Sequence, residues 1–177
     1  MTTTLSPEPV RVLHTLGTTV TNCEAAARHW FQMNDIDGRV VLHDTLENGV
    51  EAMRQSGNTD EALLGCVVYP DLHTLVFSNL DWLKLTDCFV MPTFSMVLAS
   101  QDGSMPTRVA THPAPKHLVP QGCEYTLVNS NAVAAARCAS GDFDGCVTTI
   151  AAARLHKLEV VRDFGPVPMG FSIHAKY

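Results

Sequence analysis

The sequence predicts an α/β fold of two strand–helix lobes, and three observations predict it. Strand-sized apolar segments alternate with alanine-bearing segments of helical spacing, and Thr, Ser and Asn cap residues stand between the two kinds. A long extended stretch at mid-chain, residues 89–99, separates a first set of such units from a second.

Residues 10–16 alternate like a strand and end at Gly17; a Thr/Asn cluster follows, and 24–31 have helix-forming composition. Residues 39–43 form the next strand, and Asp44 and Thr45 cap a helix over 46–56 whose Leu46, Val50 and Met53 line one face. Residues 62–69 are a third, largely apolar strand, as in a sheet covered on both faces. In the crossover over 89–99, Pro92 marks an edge or a bend. Beyond it lie a short strand at 108–110, a helical turn opening at His112 and a strand at 125–128. Asn129, Ser130 and Asn131 cap an alanine-rich helix over 132–139; a strand at 144–148, a helix at 149–155 and a strand at 158–161 complete the second set. A cleft between the lobes is expected of this arrangement.

With 177 residues and 46% hydrophobic content, the chain is long enough for one domain, or two small lobes, with a proper core. Residues 1–9 read as a loose N-terminal tail rather than a signal peptide, which makes cytoplasmic residence the default expectation. No apolar run approaches the ~20 residues that span a bilayer, so a soluble protein without membrane partners is expected. Cys23, Cys66, Cys88, Cys123, Cys138 and Cys146 are scattered singly, and most of them read as small buried hydrophobes. The formal charge of −6 argues against nucleic acid; an anionic small molecule would be held locally, by helix N-termini and a few basic side chains. No cofactor and no metal are expected. His112 and His117 stand five apart, off a common helix face, and Gly17-Thr18-Thr19 lacks both a phosphate-loop lysine and the glycines of a dinucleotide fingerprint.

Four segments, in order, resemble the catalytic domain of prephenate dehydratases. They are the turn and helix from Leu16 to Ala26, the triplet Thr111-His112-Pro113, the capped Ala-Ala helix from Val128 to Ala135, and the small-residue strand and helix from Gly145 to Ala152 with Leu158-Glu159-Val160. The resemblance covers residues 10–177. It implies a type II periplasmic-binding-protein-like fold whose last segment crosses back to complete the first lobe. Lobe one is then about 1–91 plus 162–177, and lobe two about 92–161. The chain ends where dehydratases often continue into a regulatory domain, so feedback control by phenylalanine is not expected.

The departures are as informative as the matches. Where the family's closing strand carries Thr-Arg-Phe, this sequence has Met169-Gly170-Phe171; Asp71-Leu72-His73 stands for Glu-Asn-Ser, and Val20 for the second glycine of the first turn. The chain is most similar to the non-aromatising prephenate decarboxylases of bacilysin-type pathways. It shares with them Leu42-His43-Asp44-Thr45, Leu127-Val128-Asn129-Ser130 and the ending Pro168-Met169-Gly170-Phe171-Ser172. The resemblance implies a lyase of secondary metabolism that decarboxylates prephenate, or a similar cyclic dienyl acid, and protonates the ring while the hydroxyl stays. Two alternatives remain open: a tailoring protein of a tropone or tropolone antibiotic pathway, of the tropodithietic acid type, and a non-catalytic small-molecule binding protein.

Such a reaction needs anion binding, desolvation of the ring carboxylate and one placed proton donor. Thr18, Thr19, Thr21 and Asn22 at one helix start, and Asn129, Ser130 and Asn131 at another, are either plain caps or caps that also clamp a carboxylate. His112 either donates a proton or binds a carboxylate, or is a hinge histidine bonded to backbone; Ser172 is the second catalytic candidate. His43 beside Asp44 resembles an oriented imidazole, although neighbours on a strand point to opposite faces. Met169 and Phe171 line the cleft if the ending maps as the resemblance implies, and form a plain edge strand if it does not. A homodimer is expected by analogy, with residues 89–99 as a candidate contact.

Overall fold

The computed structural model describes residues 9–177, so nearly all of the expected N-terminal tail lies outside the described residues. The chain divides into two compact units: unit 1 is Met1–Met91 with Pro168–Tyr177, and unit 2 is Pro92–Val167. The return to unit 1 therefore comes at Pro168, later than the expected residue 162, because the preceding strand pairs within unit 2 as far as Gly165.

Unit 1 contains β1 (Val12–Leu16), α1 (Asn22–Met33), β2 (Arg39–His43), α2 (Leu46–Ser56), β3 (Glu61–Cys66), α3 (Leu72–Phe77), β4 (Leu83–Pro92) and, from the far end of the chain, β10 (Pro168–Lys176). The strand order is β2-β1-β3-β10-β4, with β1 parallel to β2 and β3 and β10 antiparallel to β3. Both faces are covered, which is why β3 reads as a continuous apolar run. On one face Leu13, Ala62, Leu64, Phe171 and Ile173 pack with Ala26, Ala27, Trp30 and Phe31 of α1. On the other, Leu63 packs with Leu46, Val50 and Met53 of α2 and with Leu75 of α3. The Trp30 indole N–H donates to Asp87 Oδ2 at 2.7 Å, satisfying the polar tip of a buried ring.

Unit 2 contains β5 (Met96–Ser100), β6 (Arg108–Thr111), β7 (Glu124–Leu127), α4 (Asn131–Ala139), β8 (Gly145–Thr149), α5 (Ile150–Leu155) and β9 (Glu159–Gly165). The order is β7-β6-β8-β5-β9; β6 is parallel to β7 and β8, and β5 is antiparallel to β8 and β9. Its helix-covered core is rich in small residues, Ala99, Ala110, Ala134, Ala135, Cys138, Cys146, Ala152 and Ala153, filled out by Val97, Val128 and Leu158. Among the described residues no helix is long and apolar enough to cross a membrane.

Several local expectations are corrected. The stretch 89–99 is two strands, the end of β4 and the start of β5, broken where Pro92 removes a ladder donor. The third strand stops at Cys66, where the Tyr69 N–H turns back to the Cys66 carbonyl. The helical turn at His112 is only a 3-10 turn, Lys116–Leu118, since Pro113 and Pro115 cannot supply helix N–H groups. Helix α3 had no signal: it is six residues long and its start has no side-chain cap. Of the six cysteines only Cys138 and Cys146 are buried; Cys88 is exposed and the other three are intermediate.

Val20 takes a left-handed φ of 65° in the turn before α1, a conformation costly for a β-branched side chain. Val20→Gly should therefore stabilise the protein by about 1 kcal/mol, strain relief exceeding the added freedom of the unfolded glycine. The measurement is the urea midpoint, and an unchanged or lower midpoint would contradict the strain.

Candidate functional site

In open α/β sheets ligands gather outside the carboxyl ends of the parallel strands, where helix N-termini converge. Each unit has such an edge, and it carries most of the residues singled out from the sequence.

At the unit 1 edge, β1 ends in Gly17, whose φ of 112° turns the chain and whose N–H donates to the His43 carbonyl at 2.7 Å. Thr21 caps α1: its hydroxyl oxygen accepts the Glu24 N–H at 3.4 Å and donates to the Thr18 carbonyl at 2.9 Å. Glu24 reaches back, accepting the Val20 N–H at 2.7 Å, and Arg28 pairs with the same carboxylate at 2.8 Å. This resembles a capping box, with the glutamate on the N–H of the residue before the cap instead of on the cap itself. It places a carboxylate of the protein on the helix start where Thr18, Thr19, Thr21 and Asn22 were read as an anion clamp, and it occupies Thr21 as the cap. Helix α2 is similar, with Thr45 as cap and Glu47 in its first turn.

His43 closes β2 at this edge, and its partner is not Asp44. Its Nε2 lies 2.8 Å from Nδ1 of His14, with the ring centroids 5.1 Å apart and the planes inclined by 14°, so the rings meet edge to edge. The register Leu16↔His43 puts His14, one pleat back on β1, on the same face under α2. Gly49 of α2 makes the room: a Cβ there would lie 3.4 Å from the His43 ring and 3.1 Å from Leu63. His14 Nε2 faces Glu61 Oε1 at 3.7 Å. Burial costs Glu61 its charge, yet hydrogen bonds from Ser56, Asn58 and Lys176 outweigh that cost and hold it below the ordinary carboxylate range. Burial lowers the pKa of His14 most, with His43 and Arg39 adding to the effect and Glu61 opposing it; burial also lowers that of His43, against Asp44. His14 was missed in the sequence, and its signal was a lone polar residue at an inward position of an otherwise apolar strand.

The closing strand enters the same edge. Val67 donates its N–H to the Gly170 carbonyl at 3.1 Å, and a Cβ on Gly170 would lie 3.0 Å from the Val67 side chain. Val67, itself about half exposed, thus crowds position 170. Met169 is half-buried beside the α1-side core. Phe171, read as a cleft residue, is 1% exposed and stacks on Phe89, centroids 5.6 Å apart. Ser172, the second catalytic candidate, is also buried; it shares a 2.9 Å hydrogen bond with His174 Nε2 and lies beside the Gly65 carbonyl. The alternation of β10 sends Phe171 and Ser172 to opposite faces, both beneath helices.

At the unit 2 edge, Thr111, Leu127 and Val147 lie in register, so the residues that follow them on β6, β7 and β8 meet. His112 accepts the Ala114 N–H on Nδ1 at 3.3 Å, and burial lowers its pKa. The neutral ring consequently carries its hydrogen on Nε2, as a donor. Ser130 caps α4, accepting the Val133 N–H at 3.1 Å, and the first turn of α4 holds no acidic residue. Asn131 begins that turn: its carbonyl is held by the Thr148 hydroxyl at 2.7 Å, while its buried Oδ1 has no partner among the described residues. Asn129 precedes the cap and is exposed. Of α1, α2 and α4, the three helices longer than two turns, α4 alone offers a positive N-terminus without a carboxylate of its own. A groove of about 400 Å³ between α2 and α3 contains none of these site residues, and its lining acids Glu47, Glu51 and Asp71 outnumber its one cation, Arg54.

No family model matches the chain. Among curated proteins it is 27% identical over 180 residues to the prephenate decarboxylase of Bacillus subtilis strain 168, covering 93% of this chain and 86% of that protein. It is 26% identical over the same shares to the prephenate decarboxylase of Bacillus amyloliquefaciens. Among solved structures it resembles GqqA, described as a novel type of quorum-quenching acylase, with a TM-score of 0.65 at 16% identity. That alignment covers 94% of this chain but 64% of GqqA, so the chain spans less than two thirds of that structure. The periplasmic VFT2 domain of Bordetella pertussis BvgS follows at TM-score 0.55 and 14% identity, covering 95% of this chain and 81% of that domain. These neighbours establish the fold, which is two-lobed and periplasmic-binding-protein-like; fold alone carries no activity.

The site histidines make stability depend on pH. The pKa values of His14, His43, His112 and His174 lie below the ordinary 6.5, so in acid the unfolded chain binds more protons than the folded one. Their contribution is full above 6.5 and is lost as pH falls through the folded values. The melting temperature should be flat above about pH 7, then decline, and His174→Gln should make the decline shallower. Glu61 acts in a lower window, its contribution vanishing only below its ordinary 4.5. A melting temperature unchanged down to about pH 5 would refute the assignment.

Proposed function

We propose that this relative of the prephenate decarboxylases is itself a carbon–carbon lyase, releasing carbon dioxide from prephenate or a similar cyclic dienyl acid and protonating the ring without aromatising it. The observation that carries the reading is the sequence kinship over 93% of the chain with proteins of that name. The geometry supports the non-aromatising outcome at one position in particular. Aromatisation requires the ring hydroxyl to leave with the carboxylate, and a dehydratase supplies an acid to it. At the place of that motif this chain has Gly170, which has no side chain to offer the hydroxyl, and whose Cβ position lies 3.0 Å from the Val67 side chain.

Loss of carbon dioxide leaves the electron pair of the broken C–C bond in the conjugated ring, and a proton delivered to a ring carbon consumes it. The hydroxyl stays bound as long as no acid is placed against it. The α4 N-terminus, with its Ser130 cap and no carboxylate in its first turn, supplies the charge preference for an anionic substrate. His112, neutral and protonated on Nε2, supplies a hydrogen-bond donor at the same edge.

Incubation with prephenate should release carbon dioxide without forming phenylpyruvate, which is followed by its ultraviolet absorbance. Phenylpyruvate formation would sink the reading, and so would absence of turnover; thermal stabilisation by prephenate without product would point to a binding protein. Asn129→Asp, on the exposed residue ahead of α4, should raise KM about three- to tenfold by repelling the substrate, with a smaller change in kcat.

A further inference from the structure

We propose that Glu61, His14 and His43 form a buried relay that fixes the tautomer of His43, leaving its outer nitrogen, Nδ1, free to take up and give back a proton. His43 is then the proton-exchanging group of the unit 1 edge, and His14 is its positioning residue. The inference stands on the geometry of unit 1 alone; only the assignment of that proton to a ring carbon of the substrate rests on the function proposed above.

Two neutral imidazoles joined nitrogen to nitrogen share one hydrogen, and two arrangements are open to them. In one, His14 donates from Nδ1, and its Nε2 lone pair faces the Glu61 carboxylate at 3.7 Å. In the other, Nε2–H of His14 points at that carboxylate, and Nδ1 of His14 accepts from Nε2–H of His43. Glu61 is 2% exposed and kept ionised by the Lys176 ammonium at 3.2 Å, the Ser56 hydroxyl and the Asn58 amide. A lone pair against a buried carboxylate is repulsive and an N–H against it attractive, which selects the second arrangement. Nε2 of His14 is buried without a hydrogen-bond partner in hydrogen-bonding range, so this charge is what acts upon it.

The consequence appears at the other end. With Nε2 of His43 committed as donor, Nδ1 carries the lone pair. That atom has no hydrogen-bond partner among the described residues and is not among the buried unpaired atoms, so solvent reaches it. A proton taken up there converts His43 to an imidazolium whose charge is felt through His14 by Glu61, as a carboxylate stabilises a catalytic imidazolium. The charged groups around the pair are Arg39 and Asp44 on and beside β2, Glu61 on β3, and Lys176 on β10; His174, its pKa also lowered by burial, lies across Leu63 on the same face, and α2 brings Gly49 next to the rings. The pair takes up one proton and resists a second, since two imidazolium rings in contact repel.

The test is the nitrogen-15 spectrum of the histidine rings in the wild-type protein near neutral pH. His43 and His14 should each show a protonated Nε2 and an unprotonated Nδ1; a wild-type His43 protonated on Nδ1 would overturn the relay. Because this readout needs no substitution, a variant that fails to fold leaves it decisive. Glu61→Gln should release the bias and give a mixture of tautomers, and His14→Phe should lower the proton affinity of His43 at least about threefold. Unchanged tautomers and affinity in both variants would also refute it. If prephenate is turned over, the acid limb of its pH profile should move with the His43 titration in Glu61→Gln. Expected tautomers without turnover would defeat the proposed function and leave the relay standing.

Discussion

The first sheet exists in its full width only because the last residues of the chain return to it. Strand β10 lies between β3 and β4, so without it β4 has no partner and the core around Phe171 and Ile173 loses its centre. The pairing joins residues more than a hundred positions apart, as the contact between Ser172 and Gly65 shows, and such closure is costly in chain entropy until the contacts on both faces repay it. A strand under this constraint has little freedom. Phe171 and Ile173 must be apolar, Ser172 and His174 must satisfy each other beneath the opposite helices, and only the first residues, at the rim, can vary toward function.

The same register distributes charge around the two carboxyl edges. Parallel β1, β2 and β3 bring the starts of α1 and α2 to one side of unit 1, and parallel β6, β7 and β8 bring the start of α4 to one side of unit 2. A helix start attracts anions only if the protein has not already supplied one. Glu24 and Glu47 neutralise the first two; α4 has no such residue. Unit 1 is accordingly better suited to moving protons, through its histidines, and unit 2 to holding negative charge.

Much of this was legible in the sequence, for local reasons. The bounds of β2 and α2 are those read from alternation at residues 39–43 and from the Thr45 cap with Leu46, Val50 and Met53 on one face. The Ser130 cap was visible because cap chemistry is a matter of three adjacent residues. What was not legible depends on partners distant in sequence. Glu24 reads as an ordinary helix residue until its carboxylate is seen on the Val20 N–H; Phe171 and Ser172 read as rim residues until β3 is seen beside them. His14 and His43 are 29 residues apart, and nothing in either segment announces that the pleat of two parallel strands brings their rings into contact.

Position 170 bears on whether the missing dehydratase motif signifies decay or a change of chemistry. An abandoned site loses a functional side chain and leaves space behind, because no selection refits the neighbours. Here the backbone of residue 170 is hydrogen-bonded to Val67 and the space above it is taken by the Val67 side chain, while Met169 and Phe171 on either side are packed into the core. Any side chain restored at 170 would meet Val67 at its first carbon, so the two positions are coupled. Within unit 1 the same carboxyl edge carries a histidine pair backed by an ionised glutamate, so the edge that lacks the long side chain keeps groups able to exchange a proton.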